Sequence, residues 1–313
     1  MNKKLIIIYG PTGSGKTDCA LSLPASFTRE IINADVGQLY KPLSVGTAKP
    51  DWHSESIPHH LFDIVTTPSD YTVIEYKKAV LKKIDAIHTR GATPFLVGGS
   101  GFYILSLFFT PQHHCVKQQQ QPQIYESTLT NQALWELLNK QDPVRAHAIH
   151  YNDRYRVVRA LQLCAQNYDP SCMQPDYYPL PYDVLLVFLH PERTQLYATI
   201  NARTHNMFEQ GWISETKALL DTSWESFLKK KKLIGYNDII DYLRSGDCSE
   251  YKEQQLKMCI QKKTRNYAKR QITFWRMMQK KLHPYFSNLL HAVECHSIQD
   301  AHKNITTFLK GDK

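Results

Sequence analysis

The chain has 313 residues, 42% of them hydrophobic, and a formal charge of +9 at neutral pH. That length fits one large domain or a core with an insertion, and the apolar share supports a packed core, which excludes a disordered chain. The N-terminal apolar run, Leu5 to Tyr9, is too short for a secretion signal, and no run reaches the ~18 residues of a membrane span, so a cytoplasmic protein is expected. Seven cysteines form no C-x-x-C pair and no zinc spacing with histidine, and they read as reduced thiols. The positive charge gathers late in the chain and suits a polyanionic partner, nucleic acid above all.

Leu5-Ile6-Ile7-Ile8-Tyr9 reads as a buried strand. It runs into Gly10-Pro11-Thr12-Gly13-Ser14-Gly15-Lys16-Thr17, a G-x-x-x-x-G-K-T sequence that opens a helix-like segment. Gly13 and Gly15 let the backbone wrap a phosphate and aim its N–H groups inward. The helix start adds the positive end of a dipole. Lys16 supplies a full charge, and the Thr17 hydroxyl is suited to ligate Mg²⁺. Ile31-Ile32 is a short second strand with Asp35 just past its end. In an open parallel sheet, ligands bind outside the carboxyl ends of the strands. Asp35 is therefore expected on the rim of the phosphate loop, where a carboxylate can bind Mg²⁺ through water, accept a proton, or cap a turn.

Gly46-Thr47-Ala48-Lys49-Pro50 is a loop whose Thr47 and Lys49 either join the site or face solvent. His59 and His60 precede another short strand and, being adjacent, point apart, which disfavours a metal pair. Tyr71 to Thr89 is an amphipathic helix on Val73, Tyr76, Val80, Ile84 and Ile87, stopped by Gly91. Pro94 to Val97 is a buried strand ending in Gly98-Gly99-Ser100-Gly101. These glycines permit close approach to a ligand, and Ser100 is placed to cap the next helix.

From 112 to 180 the character changes. His113, His114, Gln118 to Gln121 and Pro122 read as a polar excursion. Helical segments follow at Leu134–Asn139, Val144–Ile149 and Tyr155–Gln166, with Arg156 and Arg159 three apart on one surface. Residues 112–180 read as a small helical insertion into a core formed by 1–111 and 181–313. Tyr182 to Leu189 returns to the sheet, and Arg193 to Gly211 is a helix carrying Arg203. Lys229 to Lys232 reads as a solvated loop. Ser249 to Lys281 is a long helix that interleaves Lys262, Lys263, Arg265, Lys269, Arg270 and Arg276 with Tyr267, Phe274 and Trp275. Basic groups between aromatics suit single-stranded RNA, and the same pattern suits a helix that packs its aromatics inward. A weak strand and a helix, Ile298 to Leu309, close the chain.

Taken together these segments resemble the tRNA dimethylallyltransferases (tRNA isopentenyltransferases) nearly end to end. The resemblance rests on Gly10–Thr17, Asp35–Tyr40, Gly46–Pro50, His59–Ile64, Gly98–Tyr103, Asn152–Leu161, the Arg203 helix, Ile234-Gly235-Tyr236 and Thr264–Arg276. It implies an α/β phosphate-loop core, with a parallel sheet flanked by helices and a helical insertion that grips the anticodon arm. The implied reaction moves a dimethylallyl group from its diphosphate to the exocyclic amine of the adenosine immediately 3′ of the anticodon, position 37, in tRNAs that read codons beginning with U. Asp35 then matches the general base. Lys16, Thr17 and the loop amides hold the diphosphate with Mg²⁺, Ser100 lies near the leaving oxygen, and Arg203 also holds diphosphate. Gln38, Thr47, Lys49, Arg156, Arg159, Lys269, Arg270 and Gln271 fall in segments expected to meet tRNA, and a monomer is expected.

The sequence departs from the family pattern in three places. Val36 and Gly37 replace the more usual serine after the aspartate, Ser100 stands for threonine, and Gln162 for glutamate. Other readings of the loop are a small-metabolite kinase, an enzyme that prenylates free AMP or ATP, and a non-enzymatic RNA-binding nucleotide switch. The strand Phe95-Leu96-Val97 ends in glycines with no Walker-B aspartate, which counts against a kinase. The basic helix and the insertion count against a free-nucleotide acceptor.

Overall fold

The computed structural model describes residues 3–109, 129–173, 175–247, 249–286 and 290–311. The polar excursion at His113 to Pro122 lies outside the described residues. The chain divides into two compact units, Met1–Leu107 with Leu180–Lys313, and Phe108–Pro179.

The first unit is built on a six-stranded sheet whose paired strands all run parallel. Its strands are β1 (Lys4–Tyr9), β2 (Arg29–Asn33), β3 (His59–His60), β4 (Thr93–Gly98), β5 (Asp183–Leu189) and β6 (Leu290–Cys295), in the order β3-β2-β4-β1-β5-β6. Leu5 to Tyr9 are fully buried, as are Leu186 to Phe188 beside them. Strands covered on both faces read as unbroken apolar runs, and that is why these segments showed no alternation. Ile6, Ile8, Phe95 and Val187 pack with Cys19, Ala20, Ala301 and Ile305 into one core cluster.

Helices flank the sheet: α1 (Lys16–Leu21), α2 (Val73–Thr89) and α3 (Gly101–Ser106). Helix α2 starts two residues later than its periodicity suggested, because Thr72 and Glu75 form a reciprocal capping box. It buries Tyr76, Val80, Ile84 and Ile87 as expected. Ser100 holds the N-cap position of α3 but makes no capping bond. Its Oγ instead accepts from Val36 N–H at 3.0 Å, so the side chain ties the end of β4 to the segment after β2.

The second unit holds α4 (Asn131–Gln141), α5 (Pro143–His147) and α6 (Arg154–Cys164) around Leu134, Leu138, Ala146, Val157 and Leu161. Trp135 Nε1 is fastened to the carbonyls of Ala146 and Ile149, each at 2.9 Å. On α6, Arg156 is exposed and pairs with Asp153 at 3.3 Å, while Arg159 donates to Gln162 at 3.3 Å. Gln162 at this position thus accepts from the Arg159 guanidinium without a charge of its own.

The remaining helices belong to the first unit: α7 (Arg193–Glu209), α8 (Trp212–Lys217), α9 (Ser223–Lys231), α10 (Tyr236–Ser245), α11 (Glu250–Leu282) and α12 (Ile298–Lys310). The basic run at Lys229 to Lys232 is not a loop. It forms the last turn and cap of α9, where cations suit the negative end of the helix, and Lys229 and Lys231 pair with Glu225 and Asp70 at 2.7 Å. No helix of the described residues is long and apolar enough to cross a membrane, and Cys19, Cys164, Cys172, Cys259 and Cys295 are free thiols.

Candidate active site

The carboxyl ends of β1, β2, β4 and β5 open onto a cavity of about 680 Å³. Thr12 to Asp18 form one wall, and Asp35, Gln38, Gly98, Gly99, Arg203, Tyr267 and Gln271 complete it. Gly13 and Gly15 lie at φ +81° and +82°, the left-handed region that a β-carbon disfavours. A side chain at Gly10 would meet the Leu189 carbonyl at 2.3 Å. The six-residue α1 is short, so the loop's own N–H groups, more than a long-helix dipole, make the anion site. Lys16 Nζ donates to the Pro11 carbonyl at 2.8 Å, and Arg203 Nη1 to Thr12 Oγ1 at 3.3 Å.

Asp35 is placed by Asn33, a residue the sequence reading passed over. Asn33 Oδ1 accepts from Asp35 N–H at 2.8 Å, and its Nδ2 donates to the carbonyls of Asp35 and Leu61, both at 3.0 Å. One Asp35 oxygen accepts from Gly37 N–H at 3.1 Å, so the residue also caps the short 3-10 turn Val36–Leu39. Burial raises the Asp35 pKa, and the charges of Lys16 and Arg203 and the Gly37 bond only partly oppose it. Burial and the Arg203 charge bring Lys16 down to about 7. Desolvation also lowers Arg203. A carboxylate made more basic and two desolvated cations therefore share one cavity.

Glycines after β4 do more than open room for a ligand. A β-carbon at Gly98 would strike the Ala34 backbone at 2.1 Å, and one at Gly99 would strike Gln271 Nε2 at 2.4 Å. Gln271, expected to meet tRNA, lines the cavity but is only 4% exposed, and it acts as a clamp. Its Oε1 accepts from Thr12 N–H at 2.9 Å, its Nε2 donates to the Gly99 carbonyl at 2.8 Å, and its own carbonyl accepts from Tyr9 OH at 2.8 Å. Helix α11 thus holds the phosphate loop against the end of β4.

Thr47 and Lys49 also bond within the protein, and Thr47 lines the cavity as well. Thr47 Oγ1 donates to the Leu43 carbonyl at 2.6 Å. Lys49, its side chain 3% exposed, pairs with Asp63 and donates to the Tyr40 carbonyl. Glu215 accepts from the N–H groups of Ser44, Val45 and Gly46 and from Tyr236 OH, at 2.7 to 3.1 Å. A β-carbon at Gly46 would hit Trp212 at 2.1 Å. The G-T-A-K-P loop and Ile234-Gly235-Tyr236 are therefore partners in one packed element, joined by Asp63 of the His59–Ile64 segment and by Trp212 and Glu215, which carried no sequence signal. Gln38 Nε2 donates to the Thr47 and Ala48 carbonyls, both at 3.2 Å, and the residue still lines the cavity. On α11, Trp275 is buried and stacks on Phe188 at 4.6 Å and 7°. Lys262, Lys269, Arg270, Arg276 and Lys280 are exposed, and Arg270 lies 5.5 Å over the Tyr267 ring.

A phosphate loop, a buried carboxylate on the same rim and an arginine from a neighbouring helix give the chain the fold and site of a phosphate-loop enzyme of the α/β class. The profile of the IPP transferase family matches residues 38–278, and that of the isopentenyl transferases matches residues 3–57. The tRNA dimethylallyltransferase 2 of Geotalea uraniireducens is 38% identical over 280 residues, covering 87% of this chain and 89% of the relative. The tRNA dimethylallyltransferase of Geobacter sulfurreducens is 37% identical over 281 residues, covering 87% and 89%. A crystal structure of a tRNA isopentenylpyrophosphate transferase from Staphylococcus epidermidis superposes with a TM-score of 0.64 at 29% identity, covering 99% of both chains. A eukaryotic dimethylallyltransferase caught acting on tRNA gives 0.75 at 25% identity, covering 99% of this chain and 80% of that one. The chain belongs to the IPP transferase family, and its activity is that of a tRNA dimethylallyltransferase.

Proposed function

We propose that the chain, as a monomer, transfers a dimethylallyl group from dimethylallyl diphosphate to N6 of the adenosine at position 37, in tRNAs that read codons beginning with U. The observation that carries this reading is one cavity that unites the phosphate loop, Lys16 and Arg203 with Asp35. The loop amides, Lys16 and Arg203 hold the diphosphate and stabilise the negative charge that grows on it as the carbon–oxygen bond breaks. Ser100, at the end of β4, is not among the residues that line the cavity; its Oγ accepts from Val36 N–H, and its own hydroxyl hydrogen is the group proposed to serve the leaving oxygen. The adenine amine is a weak nucleophile, and Asp35 accepts its proton as the carbon–nitrogen bond forms. The target base leaves its stack to reach this cavity, as bases modified at ring-edge atoms do. Exposed Lys269 and Arg270, with Gln38 at the cavity wall, and Arg156 and Arg159 of the insertion are the groups proposed to meet the anticodon arm.

The donor set also fits Mg²⁺. The Thr17 hydroxyl and the Asp35 carboxylate are hard oxygen ligands on the same cavity, and the buried Ser14 Oγ lacks a partner among the described residues. When bound there, the ion would offset diphosphate charge. Labelled dimethylallyl diphosphate, offered with unmodified tRNA, with AMP, or with ATP and a candidate phosphoryl acceptor, tests the reading. Label is expected in tRNA alone. Label in AMP alone, or phosphoryl transfer from ATP, would overturn it.

A further inference from the structure

Strands β5 and β6 pair in parallel, with Phe188 opposite Glu294 and Leu189 opposite Cys295. One step beyond, His190 and His296 leave adjacent strand ends. Since side chains alternate along a strand, Phe188 and His190 share a face with Glu294 and His296. The ligand-competent atoms of His190, Glu294 and His296 all lie within 4.8 Å of one another. His190 Nδ1 stands 3.5 Å from Glu294 Oε1. A zinc ion bound by tetrahedral bonds of roughly 2.0–2.1 Å needs ligand atoms about 3.4 Å apart, which modest side-chain rotation supplies.

The surroundings orient these groups as ligands. His296 Nδ1 lies 3.0 Å from the His190 carbonyl. A carbonyl can only accept, so Nδ1 carries the proton and Nε2 is left bare for a metal. Trp275 Nε1 donates to Glu294 Oε2 at 3.4 Å, which leaves Oε1 toward His190. Two imidazoles and one carboxylate, half-buried to exposed, make a three-ligand site with an open fourth position. Glu294 and His296 lie beyond residue 278, where the family match ends.

We propose that His190, Glu294 and His296 form a binding site for a divalent transition-metal ion of the zinc type. The site is chemically distinct from the Mg²⁺ position: imidazole nitrogen selects zinc-type ions, whereas Mg²⁺ prefers all-oxygen shells. The ion cross-links the carboxyl ends of β5 and β6 beside Ser297, the cap residue of α12, and His296 and Ser297 both border the active-site cavity.

Equilibrium dialysis of the chelator-stripped full chain against Zn²⁺ tests this, with thermal melting in parallel. One ion per chain is expected to bind, to survive a large excess of Mg²⁺ and to raise the melting temperature by mass action. His296→Ala and Glu294→Gln should each weaken binding by at least about tenfold. Cys172→Ser, which removes an exposed thiol elsewhere, should bind like the wild type. Both ligand substitutions fall at exposed side chains, and melting of the metal-free variants establishes that they fold. Absence of saturable Zn²⁺ binding, or affinity unchanged in both ligand variants, would overturn the proposal.

Discussion

At the scale of single residues the chemistry turns on how burial divides protons between Asp35 and Lys16. A general base works best when its pKa approaches the working pH, and desolvation moves Asp35 that way. Asp35→Ala should lower kcat by about 10²–10⁴-fold while leaving dimethylallyl diphosphate affinity within a few-fold, as single-turnover kinetics and equilibrium binding would read. Survival of turnover would remove Asp35 from the base role.

The pH profile of kcat/KM reports the free enzyme, so it carries both groups. Asp35 must be deprotonated, and its raised pKa places the acid limb above the ordinary carboxylate range of about 4. Lys16 must be charged to meet the diphosphate, and its lowered pKa puts a basic limb at about 7. Burial sets most of that lowering and the Arg203 charge adds to it. Arg203→Gln should therefore move the basic limb to higher pH even as the overall rate falls. A basic limb unmoved by that change would separate it from Lys16.

At the scale of elements, helix α11 has two faces with different tasks. Its inner face fastens the loop through Gln271. Gln271→Ala would leave the Thr12 N–H and the Gly99 carbonyl without partners, at a cost of about 1–3 kcal/mol each, and should raise KM for the diphosphate. Its outer face is basic. Neutralising Lys269 and Arg270 should weaken tRNA binding without equal loss for dimethylallyl diphosphate, and should reduce the slope of log affinity against log salt by about 1 to 2. Equal loss for both ligands would assign these residues to folding. The G-T-A-K-P loop is a structural element by the same logic. Lys49→Met would strand the partly buried Asp63 and should cost about 3–5 kcal/mol in a denaturant melt.

These faces also mark the limit of what the sequence could tell. Spacing alone identified the buried strands, the α2 stripe and the phosphate loop, because each is a local pattern read along one element. It also placed Asp35 on the loop's rim, since a short strand before it sets the carboxyl edge. It could not say which way Gln271, Thr47 and Lys49 turn. The partners of Gln271 and Lys49, namely Thr12, Gly99 and Asp63, come from other segments, and such pairing leaves no period in the chain; Thr47 turns back onto Leu43 within its own loop, where irregular backbone shows no period either. Ser100 shows the same limit: its N-cap position was legible, and its bond to Val36 in place of a capping bond was not. Asn33 and Glu215 carry no motif, yet each organises a loop by accepting or donating several bonds at once.

For the whole molecule, a phosphate loop of the kind that commonly serves phosphoryl transfer is set beside a carboxylate proposed to serve carbon–nitrogen bond formation. The parallel sheet brings both to one edge, and the basic helix that could present RNA is the same helix that clamps the loop. The most direct measurement is nucleoside mass spectrometry of tRNA from cells lacking this protein, complemented with wild type or with Asp35→Ala. Wild type should restore dimethylallyl-adenosine at position 37, and Asp35→Ala should leave it unmodified. Unmodified tRNA with the wild-type chain, or full modification with the Asp35 variant, would contradict the account.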